Sequence, residues 1–160
     1  MSLEIVAAAL AFAVFNAILL CTAAYDVRHY RIPNLAPALL ALSGLVLAPP
    51  EGLQEALSRS GSVALVGLIA GALWLRGLMG GGDLKLLTAC AVWIPLGGLT
   101  TFAMALGVAS GLQGIATLIF LHRPHRPLAA KAAAASHLPY GLSITAAGLV
   151  WSLGGSGLAL

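Results

Sequence analysis

Ile5–Tyr25 reads IVAAALAFAVFNAILLCTAAY, 21 residues without a charge, and it stops against Asp26. The apolar core of a bilayer is crossed by about 20 such residues in a helix, within a range of about 17–25. This one stretch therefore predicts a membrane-spanning helix. The rest of the chain has the same character. Of 160 residues, 60% are hydrophobic and 8% charged, and the mean hydropathy is +0.99. An average soluble domain is about a quarter charged. Eight basic and five acidic side chains cannot clothe a soluble surface of this size. The composition excludes a soluble enzyme, a disordered chain and a nucleic-acid-binding module, whose basic residues would be gathered into a patch. The only early charge is Glu4, and no basic segment precedes the first run, so it is expected to be a true span and not a signal peptide.

Charges and helix breakers divide the remainder. Ile32–Pro50 is a second run, opened by Pro33 and closed by Pro49 and Pro50. Ser60–Leu75 is a third, short unless Arg76 extends it by snorkelling. Leu86–His122 holds two spans, divided at Pro95, Gly97 and Gly98. Ala132–Leu160 supplies the last, from about Pro139 to Leu153. The expectation is an all-α, polytopic protein of six transmembrane helices in a single domain over residues 1–160.

Six alternating spans put loops 28–31, 76–85 and 122–137 on one side. That side carries Arg28, Arg31, Arg76, Lys85, Arg123, Arg126 and Lys131, whereas Arg59 lies on the other with Glu4, Glu51 and Glu55. Basic loops stay in the cytoplasm, so both termini are expected outside.

Only two aspartates occur, Asp26 and Asp83, and both fall at cytoplasmic span ends, on different helices. Ionisable groups at a membrane are costly and mark function. Two convergent carboxylates suit aspartyl proteolysis: one charged acid takes a proton from the attacking water, and one protonated acid donates to the scissile carbonyl. The pair titrates as a unit. A plainer reading also exists, in which Asp26 pairs with Arg28 and Asp83 caps a helix. Gly80, Gly81 and Gly82 precede Asp83, and three glycines are too costly to serve helix propensity. They suit unusual backbone angles, close chain approach and access for an extended substrate, or else a simple turn.

Three blocks together resemble the prepilin (type IV leader) peptidases. Asp26-Val27-Arg28-His29-Tyr30-Arg31-Ile32-Pro33-Asn34 is similar to their first active-site block. Gly80-Gly81-Gly82-Asp83-Leu84-Lys85-Leu86 is similar to their GxGD motif. Pro139-Tyr140-Gly141 is similar to a third block near the C-terminus. The resemblance implies a multi-pass aspartyl peptidase of the bacterial cytoplasmic membrane. Such enzymes cut the short basic leader from pilin-like precursors at the cytoplasmic face, with Asp26 and Asp83 as the catalytic pair. Ile32, Pro33, Asn34, Gly80, Gly81, Gly82, Lys85, Pro139, Tyr140 and Gly141 would shape the pocket or admit substrate. Larger members carry a cysteine-rich zinc region and also N-methylate the product. Cys21 and Cys90 are the only cysteines here, so methyl transfer is not expected. The short form resembles the subgroup serving the tight-adherence (Flp) pilus. Presenilin-type proteases share GxGD, but they have more spans and place their motifs on later helices.

No metal or organic cofactor is implied. His122, His125 and His137 share one segment, but Arg123 and Arg126 oppose a cation there, and the segment reads as a basic stretch on anionic lipid. Lys85 lies two residues beyond Asp83, so on a helix it points away and suits lipid phosphate. Trp74, Trp93 and Trp151 suit interfacial anchoring or packing. The GxxxG pairs Gly67/Gly71 and Gly107/Gly111 suit close helix packing. The expected partners are a pilin-like precursor and membrane lipid. The rival class is a small transporter or a structural subunit of a secretion machine, but that wants carboxylates at mid-bilayer, and both lie at span ends.

Overall fold

A computed structural model describes residues 3–121 and 140–154. Among these it contains six α-helices and no strand: α1 (Leu3–His29), α2 (Leu35–Leu47), α3 (Leu53–Leu75), α4 (Gly81–Ala91), α5 (Leu99–Leu121) and α6 (Tyr140–Gly154). A 3₁₀ turn, Leu96–Gly98, joins α4 to α5.

The breaks follow from local chemistry. Tyr30 adopts a left-handed conformation (φ 51°) and ends α1, its N–H donating to Asp26 O at 2.7 Å. Pro33 then bars helix at Ile32. Pro37 is tolerated because it occupies the first turn of α2, where N–H groups have no intrahelical partner. α2 closes at Ala48, ahead of Pro49 and Pro50. α3 ends in a Schellman turn: Gly77 takes φ 70°, Leu78 N–H donates to Leu73 O and Gly77 N–H to Trp74 O, both at 2.9 Å.

The sequence boundaries hold with two corrections. α3 does not run on over Arg76, which caps it; it extends instead at its start, across Glu55 and Arg59. Arg59 is accommodated there by an ion pair to Glu55 and a hydrogen bond to Ala48 O, both at 2.5 Å. In addition, among the described residues only α1, α3 and the Leu96–Ile119 stretch, which covers most of α5, are long and apolar enough to cross a membrane. α2, α4 and α6 have 13, 11 and 15 residues. At about 1.5 Å per residue these fall short of the roughly 30 Å apolar core. Prolines and glycines at their ends cut them short.

α1 packs between α2 and α6, α6 also packs on α5, and α4 is held by α2, α3 and α6. Their shared core contains Phe15, Leu19, Leu40, Leu86, Ile94 and Ile144, all fully enclosed. Four rings tighten one part of it: Phe15 lies 5.0 Å from Trp93 and 5.7 Å from Trp151, and Phe12 lies 6.2 and 5.9 Å from the same two. Trp93 and Trp151 are therefore packing residues, 2% and 4% exposed, whereas Trp74 stands 49% exposed.

The GxxxG expectation is not met among the described residues. A Cβ at Gly71, Gly107 or Gly111 would meet nothing, and one at Gly67 would touch only Thr88. Close packing occurs at Gly44 against Trp93, at Gly98 against Trp151 and at Gly148 against Phe15 and Leu19.

Candidate active site

Asp26 stands one turn from the end of α1, and Asp83 in the first turn of α4. The packing of α4 on α2, and of α2 on α1, brings these helix ends to a single cavity of about 580 Å³. Both aspartates line it, with Arg31, Ile32, Met79, Gly82 and Tyr140.

Each carboxylate receives a glycine N–H. Gly141, in the first turn of α6, donates to Asp26 Oδ2 at 3.0 Å, a contact buried in the protein. A Cβ on Gly141 would stand 2.7 Å from that oxygen, so only glycine lets the backbone come this close. Gly80 donates its N–H to the carboxylate of Asp83. Gly80 is the N-cap of α4, and Asp83 occupies the third helical position. The aspartate thus reaches back to the cap as the acidic partner of a capping box does. The N-cap position weighed for Asp83 from sequence belongs instead to Gly80, and Asp83 stands inside the helix and lines the cavity.

Asp83 precedes the charge-free run that begins at Leu86. Burial pushes its carboxyl up from an ordinary 3.8 to about 6; the charge of Asp26 adds to the rise and the Gly80 N–H opposes it. The two acids therefore sense one another, as like charges in a poorly solvated site must. Such a pair holds one proton across a range of pH in which isolated carboxylates hold none.

The sequence blocks take separate places around this pair. Gly81 and Gly82 lie in α4, and Gly80 has ordinary extended angles, so these glycines provide space in place of unusual backbone angles. A Cβ at Gly82 would stand 3.0 Å from Ile32 Cβ. Lys85 does not line the cavity; its Nζ donates to Asn34 Oδ1 at 2.7 Å. The Ile-Pro-Asn block is thus fixed to α4 at two points, Ile32 on Gly82 and Asn34 on Lys85. Pro33 lines a separate apolar groove between α1 and α2. Pro139, His122, His125 and His137 lie outside the described residues. No group of three His, Cys, Asp or Glu that could hold a metal stands among those that are described.

Sequence reasoning missed Met79, Leu78 and Gly77 in the wall of the cavity. It also took Gly141 as pocket-shaping, without its hydrogen bond. A glycine following a tyrosine at the start of an apolar helix was the available signal.

An apolar helical bundle with two acids in one cavity between helix ends has the outline of a membrane-type hydrolase. Residues 13–122 match the model of the type IV leader peptidase family, well over half of the chain, and the chain belongs to that peptidase family. α6, which brings Tyr140 and Gly141, lies beyond the matched stretch. No curated protein and no solved structure matches significantly.

Proposed function

We propose that the chain is a six-span aspartyl endopeptidase of the bacterial cytoplasmic membrane that removes the leader of a pilin-like precursor at the cytoplasmic face. The observation that carries this reading is the convergence of Asp26 and Asp83, from different helices, on one cavity. The long helices span the bilayer, and at α2, α4 and α6 the crossing is completed by the chain that flanks each short helix, with the apolar crossing at α4 beginning at Leu86 so that Asp83 stands at its cytoplasmic edge. Both termini lie outside, and the cavity opens on the basic side.

Catalysis requires these two acids and water. The ionised member accepts a proton as water attacks the scissile carbonyl. The protonated member donates to the carbonyl oxygen as it gains charge. Collapse of the tetrahedral intermediate then returns a proton to the leaving amine. The N–H of Gly141 holds Asp26 in place, and that of Gly80 does so for Asp83. The product amine is left unmethylated, since the chain has no four-cysteine set. The minimal loop between α1 and α2 favours a precursor of the tight-adherence type, with a leader ending in Gly.

Membranes carrying the wild-type chain, Asp26→Asn or Asp83→Asn, mixed with a tagged precursor, test this on a gel. Each substitution is expected to lower the rate by at least about 10²–10⁴-fold, the usual contribution of a positioned acid or base. A variant that still cuts at the wild-type rate would remove its aspartate from the mechanism.

A further inference from the structure

The cavity at the carboxylates has a neighbour. A second, wholly apolar groove of about 250 Å³ lies between α3 and α5, walled by Ile69 and Leu73 on one side and by Phe102 and Ala103 on the other. Its floor includes Leu87 of α4. α3 and α5 share no packed face and are joined chiefly through the 3₁₀ turn Leu96–Gly98, which touches both. Below that turn the two helices part, and the buried helix α4, packed on α3, closes the base of the gap between them. Met79 lines this groove and also the cavity that holds Asp26 and Asp83. Two other apolar grooves, between α1 and α2 and between α5 and α6, share no lining residue with that cavity.

We infer that the α3–α5 groove seats the apolar helix of the substrate and feeds its end past Met79 to the two carboxylates. The inference rests on the peptidase reading and adds to it where the uncut part of the precursor binds. The chemistry is complementary on both sides of Met79. A helix in the groove keeps its backbone hydrogen-bonded within itself, so an apolar lining is all that it asks. A chain entering the cavity leaves the helical state, and there it meets the carboxylates, Arg31 and Tyr140. α3 also sets the direction. It runs along the groove toward Leu73 and reverses in its Schellman turn, and the chain then forms the cavity wall at Gly77–Gly80. A guest lying beside α3 is therefore led to the cavity at one end only.

The test uses the full chain in membranes and a tagged precursor made of a short basic leader, a small-residue junction and a leucine-rich helix of about 20 residues. Ala103 is exposed, so Ala103→Trp fills the groove without entering the core. Leu42→Trp, on an exposed position of α2 that lines no groove named above, is the control. Ala103→Trp is expected to raise KM about tenfold with kcat unchanged, equivalent to about 1.4 kcal/mol of lost binding, while Leu42→Trp behaves as wild type. A photo-crosslinker at Ile69 is expected to capture the precursor's helix, and one at Leu42 to capture lipid. An unchanged KM with lipid alone captured at Ile69 overturns the proposal, and so does a fall in kcat at unchanged KM, which would mean disturbed chemistry. Capture at Ile69 needs no cleavage and is repeated in Asp83→Asn. Failure of the carboxylate mechanism would appear as cleavage by that variant, which is a separate result.

Discussion

The two ends of the bundle use one device for opposite purposes. Around Trp93 and Trp151, the missing side chains of Gly44, Gly98 and Gly148 let large apolar groups interlock. Around Asp26 and Asp83, the missing side chains of Gly141 and Gly80 let backbone N–H groups reach carboxylates, with a would-be Cβ 2.7 and 2.8 Å from an Oδ2. In the first place glycine permits density, and in the second it permits solvation of charge by the backbone. The same substitution should therefore have different consequences at the two ends.

Gly141→Ala carries the largest expected effect. The added methyl must push the backbone off Asp26 and lengthen a buried hydrogen bond, so cleavage should fall about 100-fold, comparable to loss of one preorganised donor in other active sites. Thermal unfolding should change little, because alanine favours the helix by about 1 kcal/mol. Gly148→Ala should do the reverse. Overpacking against Leu19 and Phe15 should cost about 1–3 kcal/mol, while the folded fraction keeps its kcat. If both variants lost stability and activity in step, the separation of the two ends would not stand.

A pH series sharpens the comparison at the carboxylate end alone. The free enzyme should lose kcat/KM about tenfold per pH unit above about 6, as the proton shared by the pair is removed. Stability carries the matching sign. Between 3.8 and about 6 the unfolded chain has released the Asp83 proton while the folded chain retains it, so stability falls as pH rises through that window and levels off above it. Asp83→Asn should abolish this slope in detergent-solubilised protein, and an unchanged slope would assign it to another group.

Lys85→Met should be milder. It removes the exposed Nζ–Asn34 hydrogen bond but leaves Ile32 against Gly82, so one of two ties between the first block and α4 remains. A net hydrogen bond of about 0.5–1.5 kcal/mol corresponds to a loss of cleavage of about two- to thirteenfold. The double variant Asn34→Ala/Lys85→Met should lose no more than either single one, and additive losses would show that the two residues act separately.

Much of this was legible in the chain because membranes and helix breakers leave coarse marks. Charge-free runs located the helices, Pro95 with Gly97 and Gly98 marked the division before α5, and the last helix, expected from about Pro139 to Leu153, is observed at Tyr140–Gly154. Asp26 and Asp83 stood out because acids are rare in such a chain. What stayed hidden depends on which side of a helix faces which neighbour. Nothing in GxxxG spacing says that Gly107 and Gly111 meet no other described helix while Gly98 meets Trp151. Lys85 points away from Asp83, as helical geometry requires, but its partner 51 residues earlier is a property of packing. Ile69, Met79 and Ala103 were ordinary apolar residues until α3 and α5 were seen apart.

The smallest expected effect on cleavage belongs to the far end. Trp93 Nε1 donates to Leu40 O at 2.8 Å, and the Ser43 hydroxyl donates to the same carbonyl at 2.9 Å. Trp93→Phe removes one donor but leaves that carbonyl served, so no buried acceptor is orphaned. The remaining cost is lost ring volume beside Phe15, about 1–3 kcal/mol with the hydrogen bond included. Because Trp93 touches neither carboxylate nor cavity wall, kcat and KM should stay within about twofold of wild type while the unfolding temperature drops. A marked fall in kcat at full folding would mean that the packing around Trp93 sets the spacing of the acids, and the two ends would then have to be treated as one mechanical unit.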